Sequence, residues 1–230
     1  MSESPIPNIP ILWQDATAVA INKPAGWLVH NSKWAGPKET SLRQLVARQL
    51  DQQTYPIHRL DRPTSGVLLF ALSREDARRW HQQLGQTDTQ KTYLALARGH
   101  IQQPVTIDLA LKDGGVPRPA VTHVLPLAYS AHEHVTLITA RIETGRQHQI
   151  RRHLSRIAHQ LIGDTTYGKG RINRYFRETY GFHRLFLHAW SLEITHPRSG
   201  QRLLIRAPLP SELEQLLTAL FPPSILKIID

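Results

Sequence analysis

Apolar residues in this chain come in short runs closed off by turn formers, and that spacing constrains the fold more than any other feature. Ile11–Trp13 and Ala18–Ile21 are cut by Gln14-Asp15 and by Asn22-Lys23-Pro24. Val67–Leu72, Val135–Ile142, Leu185–Trp190 and Leu203–Ile205 are similarly brief, and Lys91–Ala97 alternates. Runs of this length between breakers read as strands. Pro24 and Gly26 make Lys23–Gly26 a turn or loop. Helical spacing recurs where Leu42, Leu45, Val46 and Leu50 follow a possible Ser41 cap, predicting about three turns of helix. It recurs again at Ala77, Trp80 and Leu84 after Ser73, at Ile150, Leu154 and Ile157, and at Leu213, Leu216, Leu217 and Leu220. Asp113-Gly114-Gly115 and Pro117-Arg118-Pro119 mark an exposed turn region. Strands and helices do not alternate as βαβ units, so the expected class is α+β, with a largely antiparallel central sheet flanked by helices and loops. No internal repeat and no long Gly, Ser or Pro linker divides the 230 residues. The expectation is one domain over residues 11–230 behind a Pro-rich leader at residues 1–10.

Charge narrows the partner. Lys and Arg number 28 against 18 Asp and Glu, a formal net charge of +10 with His neutral. Such a field favours a polyanion, nucleic acid or acidic membrane. Arg146, Arg151, Arg152 and Arg156 alternate with His148, His153 and His159, planar donors suited to phosphate oxygens. A membrane helix needs a wide apolar face opposite its cations, and that face is thin here, so RNA is the better fit and membrane is not expected. A second basic segment, Lys169, Arg171, Arg174 and Arg177, lines one side of a helix or sits on a flexible loop between Gly168 and Gly181. A solvated basic surface without a partner is the bland alternative. No run approaches a membrane span and no secretory signal is visible, which predicts a cytoplasmic location. A monomer is the default, since nothing marks a dedicated interface.

Several chemistries lack their residues. With no Cys, disulfides, thiol catalysis and thiolate metal sites are out. His is abundant at 13, yet there is no His-Glu-x-x-His pattern; His132-Glu133-His134 reads as a solvated surface pair, so no metal is expected. Gly163–Gly170 lacks the Lys-Ser/Thr ending of a phosphate loop, and no Gly-x-Ser-x-Gly elbow occurs. Neither a nucleotide nor any other cofactor is called for. Asp61 stands out: it lies between Arg59 and Arg62, ahead of a turn leading into a buried run. Neighbouring cations favour an ionised carboxylate, which can serve as nucleophile or base or can simply hold a structural ion pair or Asx turn.

His58-Arg59-Leu60-Asp61-Arg62-Pro63-Thr64-Ser65-Gly66 resembles the signature of the RluA-type pseudouridine synthases. Lys23-Pro24-Ala25-Gly26 is similar to that family's first motif and Lys91-Thr92-Tyr93 to its tyrosine motif. Gly145–Arg151 with Gly163-Asp164 is similar to its arginine motif, and Leu187-His188-Ala189 also matches. The matches keep the family's order from about Val19 to Ile205. Lys23–His30, Arg62-Pro63 and Pro119–His123 are most similar to the subgroup associated with a tRNA uridine, uridine 65, at the end of the T stem nearest the acceptor stem. Relatives acting on rRNA or other tRNA positions are the alternative target class, and a catalytically idle RNA binder on the same scaffold is the alternative function. The S4 module of several rRNA-modifying relatives is not expected here.

The resemblance implies that uracil is detached from ribose, rotated and rejoined through carbon without a cofactor. Asp61 then matches the essential aspartate, Tyr93 the active-site tyrosine and Arg151 the arginine thought to pair with the aspartate. Leu187 supplies apolar wall. A base inside a helix must be extruded, and Arg62 matches the position that can fill the vacated space. Arg146 and Arg152 are expected at the RNA backbone. Lys23 either touches a phosphate or caps a turn, while His58, Arg59 and Ser65 are expected to shape the loop.

Overall fold

A computed structural model describes residues 8–30 and 40–229; most of the expected leader lies outside the described residues. The chain begins with β1 (Ile11–Gln14), β2 (Ala18–Lys23), α1 (Leu42–Gln49), β3 (Tyr55–Pro56), β4 (Ser65–Ala71) and α2 (Arg74–Leu84). It continues with β5 (Gln90–Arg98), β6 (Val105–Asp108), β7 (Leu111–Asp113), β8 (Val116–Arg118), β9 (Val121–Ser130) and β10 (Val135–Ile142). Then follow α3 (Gln149–Arg156), α4 (Gly170–Tyr180), β11 (Leu187–Thr195), β12 (Arg202–Arg206), α5 (Ser211–Leu220) and α6 (Ser224–Ile229). The class is α+β with a mostly antiparallel sheet, as the spacing predicted. Two compact units partition it: Met1–Thr89 with Ser191–Pro208, and Gln90–Trp190 with Leu209–Asp230.

In the first unit β1, β2 and β4 pair antiparallel in that order, β3 adds to β4, and Ser191–Thr195 of β11 pairs with β12. Every residue of β4 is buried, which explains a run with no polar alternation. Ser73 caps α2, its hydroxyl accepting from the Asp76 N–H at 3.0 Å, and Trp80 enters the core with no exposure. The Trp80 indole donates to the Thr17 hydroxyl at 3.1 Å, and that hydroxyl donates to Asp15 at 2.9 Å. His196 meets the other Asp15 oxygen at 2.7 Å and stacks edge-on against Trp80. Asp15 also takes the N–H groups of Thr17 and Ala18. Burial opposes its charge, but these hydrogen bonds and His196 outweigh burial and hold its carboxyl below the usual range.

In the second unit β5, β10, β9 and β6 pair antiparallel in that order. Side chains on β5 alternate between faces, as strand geometry requires. Leu94 and Leu96 join Leu137, Phe176, Phe186 and the apolar face of α5. Tyr93, Ala95 and Ala97 face Ile138, Ala140, Ile150, Leu154 and Leu187. Alanine on this side leaves room for α3 to lie close.

Three local differences from the spacing have physical causes. Helix α1 has eight residues, shorter than expected; Asp51 turns left-handed at φ 52°, and Gln52 and Asp51 N–H groups close on Ala47 and Arg48, a Schellman stop. Residues 111–118 form the two-stranded ribbon β7–β8 rather than only a turn. Strand β9 was masked by Pro126, which sits where the β9–β10 register shifts, a bulge that tolerates a residue with no N–H.

Trp80→Ala should lower the unfolding free energy by about 3–5 kcal/mol, because it empties a packed site and removes the donor to Thr17. A urea midpoint matching that of wild type would show that this network carries no load.

Candidate active site

The loop carrying Asp61 is clamped from several sides. Lys23 ends β2 opposite Gly66 of β4, and its side chain is fully buried. Its ammonium donates to the carbonyls of Pro24, Arg62 and Thr64 at 2.9, 3.1 and 2.8 Å. Gly26 N–H donates to the Arg62 carbonyl at 2.8 Å, while Arg62 Nε donates back to the Gly26 carbonyl at 2.9 Å. Thr64 N–H closes a turn on the Asp61 carbonyl at 3.0 Å. His58 Nε2 accepts from the Leu69 N–H at 3.2 Å, and Ile57 donates to the Leu69 carbonyl. The loop is thereby tied to β4 on one side and to residues 23–26 on the other. Asp61 is half-buried and Arg62 exposed at the tip of this turn.

With no exposed surface and an ammonium turned to three loop carbonyls, Lys23 caps the turn from within. His58 shapes the loop as expected.

The second unit contains a ring, an apolar wall and a buried cation. Tyr93 and the buried Leu187 belong to the cluster that includes Ile150 and Leu154 of α3. Arg151, from the same helix, is 4% exposed. Its Nε and Nη2 donate to the two Asp164 oxygens at 2.7 and 2.9 Å, and its guanidinium lies 5.2 Å from the Tyr167 ring centre. Asp164 also accepts from the N–H groups of Thr166 and Tyr167, each at 2.9 Å. Burial works against its charge; Arg151 and these two N–H groups overcome it and hold the carboxyl below the ordinary value. The partner that resemblance assigns to Arg151, Asp61, belongs to the first unit; Asp164 grips Arg151 within the second.

The Asp164 loop is itself held by α4. Asn173 accepts from the Gly163 N–H at 2.9 Å and donates to the Asp164 carbonyl at 2.8 Å. A Cβ at Gly163 would lie 1.8 Å from the Arg184 carbonyl oxygen, and one at Gly168 2.1 Å from that of Asp164. Neither position has room for a side chain. Spacing alone exposed none of this: Asp164 showed only as part of a motif, and Asn173 as one polar residue in a basic segment.

Basic residues around α3 are bonded mainly to the ribbon and the residues on either side of it. Arg152 donates to the Lys112 and Gln147 carbonyls, Arg156 to Ala110, and Arg146 to Pro119 at 3.1 Å. His153 is fully buried, its two ring nitrogens 2.9 Å from the Thr122 hydroxyl and the Leu109 carbonyl. Burial, with Arg156 and Arg152 nearby, pushes its pKa down despite Leu109 and Asp108. A neutral ring donating from Nε2 to Leu109 and accepting at Nδ1 fits both contacts. Gln149 takes the Arg146 N–H and the Thr144 hydroxyl and donates to Val121 and Thr122, fixing the turn that opens α3. His132 and His134 fall in the β9–β10 turn rather than on a strand, and the described residues contain no group of three or more His, Cys, Asp or Glu able to hold a metal. No helix among them is long and apolar enough to cross a membrane.

The sequence model of the RNA pseudouridylate synthases matches residues 17–156. The chain belongs to that family, which makes it an RNA pseudouridine synthase and an isomerase.

Among curated relatives, a Yersinia pestis protein called tRNA pseudouridine synthase C is 42% identical over 219 residues, covering 86% of this chain and 85% of its own. One of the same name from Vibrio vulnificus is 40% identical, covering 94% and 97%. Among solved structures, human RNA pseudouridylate synthase domain containing 1 superposes with a TM-score of 0.72 at 27% identity, over 96% of this chain and 97% of its own. Human domain containing 4 reaches 0.73 at 24% identity over 92% of each chain, a likeness of fold.

Asp164→Ala strands a buried guanidinium and should cost about 3–5 kcal/mol. Because the folded-state pKa of Asp164 is depressed, its contribution is present above the ordinary value of 3.8 and is lost as pH falls through the folded value. Asp164→Asn should therefore show a flatter decline of stability between neutral pH and acid than wild type. Equal acid limbs in denaturant titrations across pH would rule out an ionised pair.

Proposed function

We propose that this chain converts a tRNA uridine to pseudouridine, at uridine 65 of the T stem, with residues 11–230 as the catalytic domain acting as a cytoplasmic monomer. The observation that carries this reading is the likeness, over more than four-fifths of both chains, to relatives named tRNA pseudouridine synthase C. The geometry supports the same chemistry. In the product C1′ is bonded to C5 of uracil instead of N1, N1 carries a proton and C5 has given one up; substrate and product have the same atoms. No redox partner or group donor is needed.

Asp61 is the proposed nucleophile or base, its carboxylate placed by the Lys23 clamp. Tyr93 stacks on the extruded base and its hydroxyl serves proton movement. Arg151, oriented by Asp164, supplies fixed positive charge in a poorly hydrated pocket, and Leu187 the apolar wall. Extrusion costs a few kcal/mol; the exposed guanidinium of Arg62 takes the place of the departed base. Arg146 and Arg152 reach RNA phosphates with the donors that their carbonyl contacts leave over, a guanidinium having five.

The test incubates wild-type and Asp61→Asn protein with unmodified tRNA and rRNA transcripts and maps pseudouridine by carbodiimide labelling and primer extension. The expected result is a wild-type stop in the T stem that Asp61→Asn abolishes, with RNA affinity kept within about tenfold. A stop only in rRNA overturns the tRNA assignment. Equal modification by the variant overturns the role of Asp61, and no modification in any RNA overturns the reading as a whole.

A further inference from the structure

Helix α4 carries arginines that the protein itself does not use. Its buried side is formed by Asn173 and Phe176, and at 100° per residue Arg171 and Arg174 fall on the opposite side with Arg177 on its flank. All three are exposed, and among the described residues none of their guanidinium groups has a hydrogen bond or an ion pair. Several arginines elsewhere are committed: Arg79 to Glu75, Arg184 to Glu212, Arg198 to Asp76 and Arg202 to Asp88 and Glu193. The one acid on the outer side of α4 is Glu178, near its C-terminal end. Lys169 precedes the helix, so positive charge collects over its first two turns.

The helix is also held rigidly. Asn173 ties it to Gly163 and Asp164. Tyr175 and Tyr180 both donate to one oxygen of Glu133 in the β9–β10 turn, at 3.0 and 2.6 Å, and Phe176 packs in the core. Arg171 and Arg174 flank Asn173, whose amide is within hydrogen-bond distance of the residue that grips Arg151. Side chains from Arg171 to Arg177 span about 9 Å along the axis, enough to meet more than one phosphate.

We infer that the outer side of α4, through Arg171, Arg174 and Arg177, is a phosphate-binding surface for the RNA backbone continuing outward from the Arg151 pocket. The inference rests on the proposed function. A polyanion is the partner because three exposed guanidinium groups on this surface face a single carboxylate, Glu178. A braced helix has little backbone order to lose on binding, and its guanidinium groups release counterions from the RNA.

The experiment measures binding of an unmodified tRNA transcript over roughly 50 to 200 mM salt, a range in which phosphate contacts dominate the affinity. It compares wild type, R171Q/R174Q/R177Q, the charge-keeping R171K/R174K/R177K, and R43Q/R48Q/R79Q, which removes the same charge from α1 and α2. Circular dichroism checks that each is folded. The α4 glutamine variant should bind at least about tenfold more weakly, with a log–log salt slope flatter by about two to three, near 0.9 for each lost contact. The lysine variant should keep most of the slope, and the α1 and α2 variant should resemble wild type. At saturating tRNA the glutamine variant should still form pseudouridine. Unchanged affinity and slope in the α4 glutamine variant, or an equal loss in the α1 and α2 variant, overturns the inference while a modifying wild type leaves the proposed function standing. A wild type that modifies no RNA removes the proposed function, and the salt slopes then report on α4 independently. Weakened binding to an acidic protein surface with undisturbed tRNA binding would assign the helix to a protein partner and overturn the inference.

Discussion

Arg151 is a cation held almost wholly out of water, and much of the second unit is arranged around that fact. Removing such a charge from water costs several kcal/mol, which only a close and well-bonded partner can offset. Asp164 is that partner, in a two-pronged contact at 2.7 and 2.9 Å. Its own remaining capacity is filled by two backbone N–H groups, which requires residues 164–167 to curl tightly. The curl requires glycine at 163 and 168, and its backbone is pinned by Asn173 from α4. From the other side, alanines on β5 let α3 sit close enough to deliver Arg151 from a helix rather than a loop. One buried charge thus reaches through a turn, two helices and a strand.

The first unit solves a different problem. In the proposed reaction the Asp61 carboxylate has to be presented near phosphates that repel it, so its loop cannot rely on the substrate for order. Lys23 spends its charge inward on three carbonyls, and Arg62 and Gly26 bind each other's backbone. The geometry of the Asp61 turn is therefore a property of the fold. In the proposed reaction this is preorganisation, which removes a reorganisation cost from the reacting state.

Much of this was legible before any coordinates. The β4 run, the α2 stripe with Ser73 at its head and the alternation on β5 all follow from periodicity, and the motifs named the family. What stayed hidden were relations between distant residues. Nothing in the run around Lys23 distinguishes an inward ammonium from an outward one, because a lysine that ends a strand ahead of a proline can take either course. Arg151 and Asp164 lie thirteen positions apart, and only the folded path of the intervening chain turns them toward one another. Pro126 concealed β9 because a proline argues against a strand unless a bulge is known to receive it. The segment from Lys169 to Arg177 was equally consistent with helix and loop; Phe176 in the core and Asn173 on the Asp164 loop decided for helix.

Gly163 shows how different causes can leave the same trace in evolution. Nothing larger than hydrogen fits there, since any side chain would begin 1.8 Å from a backbone oxygen. The residue touches no proposed reactant, yet it should tolerate replacement no better than Arg151, its neighbour in space through Asp164. Across descendants of this chain the two positions would look equally invariant, one fixed by shape and the other by charge. Invariance there would mark the footprint of the clasp as faithfully as that of the chemistry, and a catalytic role inferred from it alone would be assigned to too many residues.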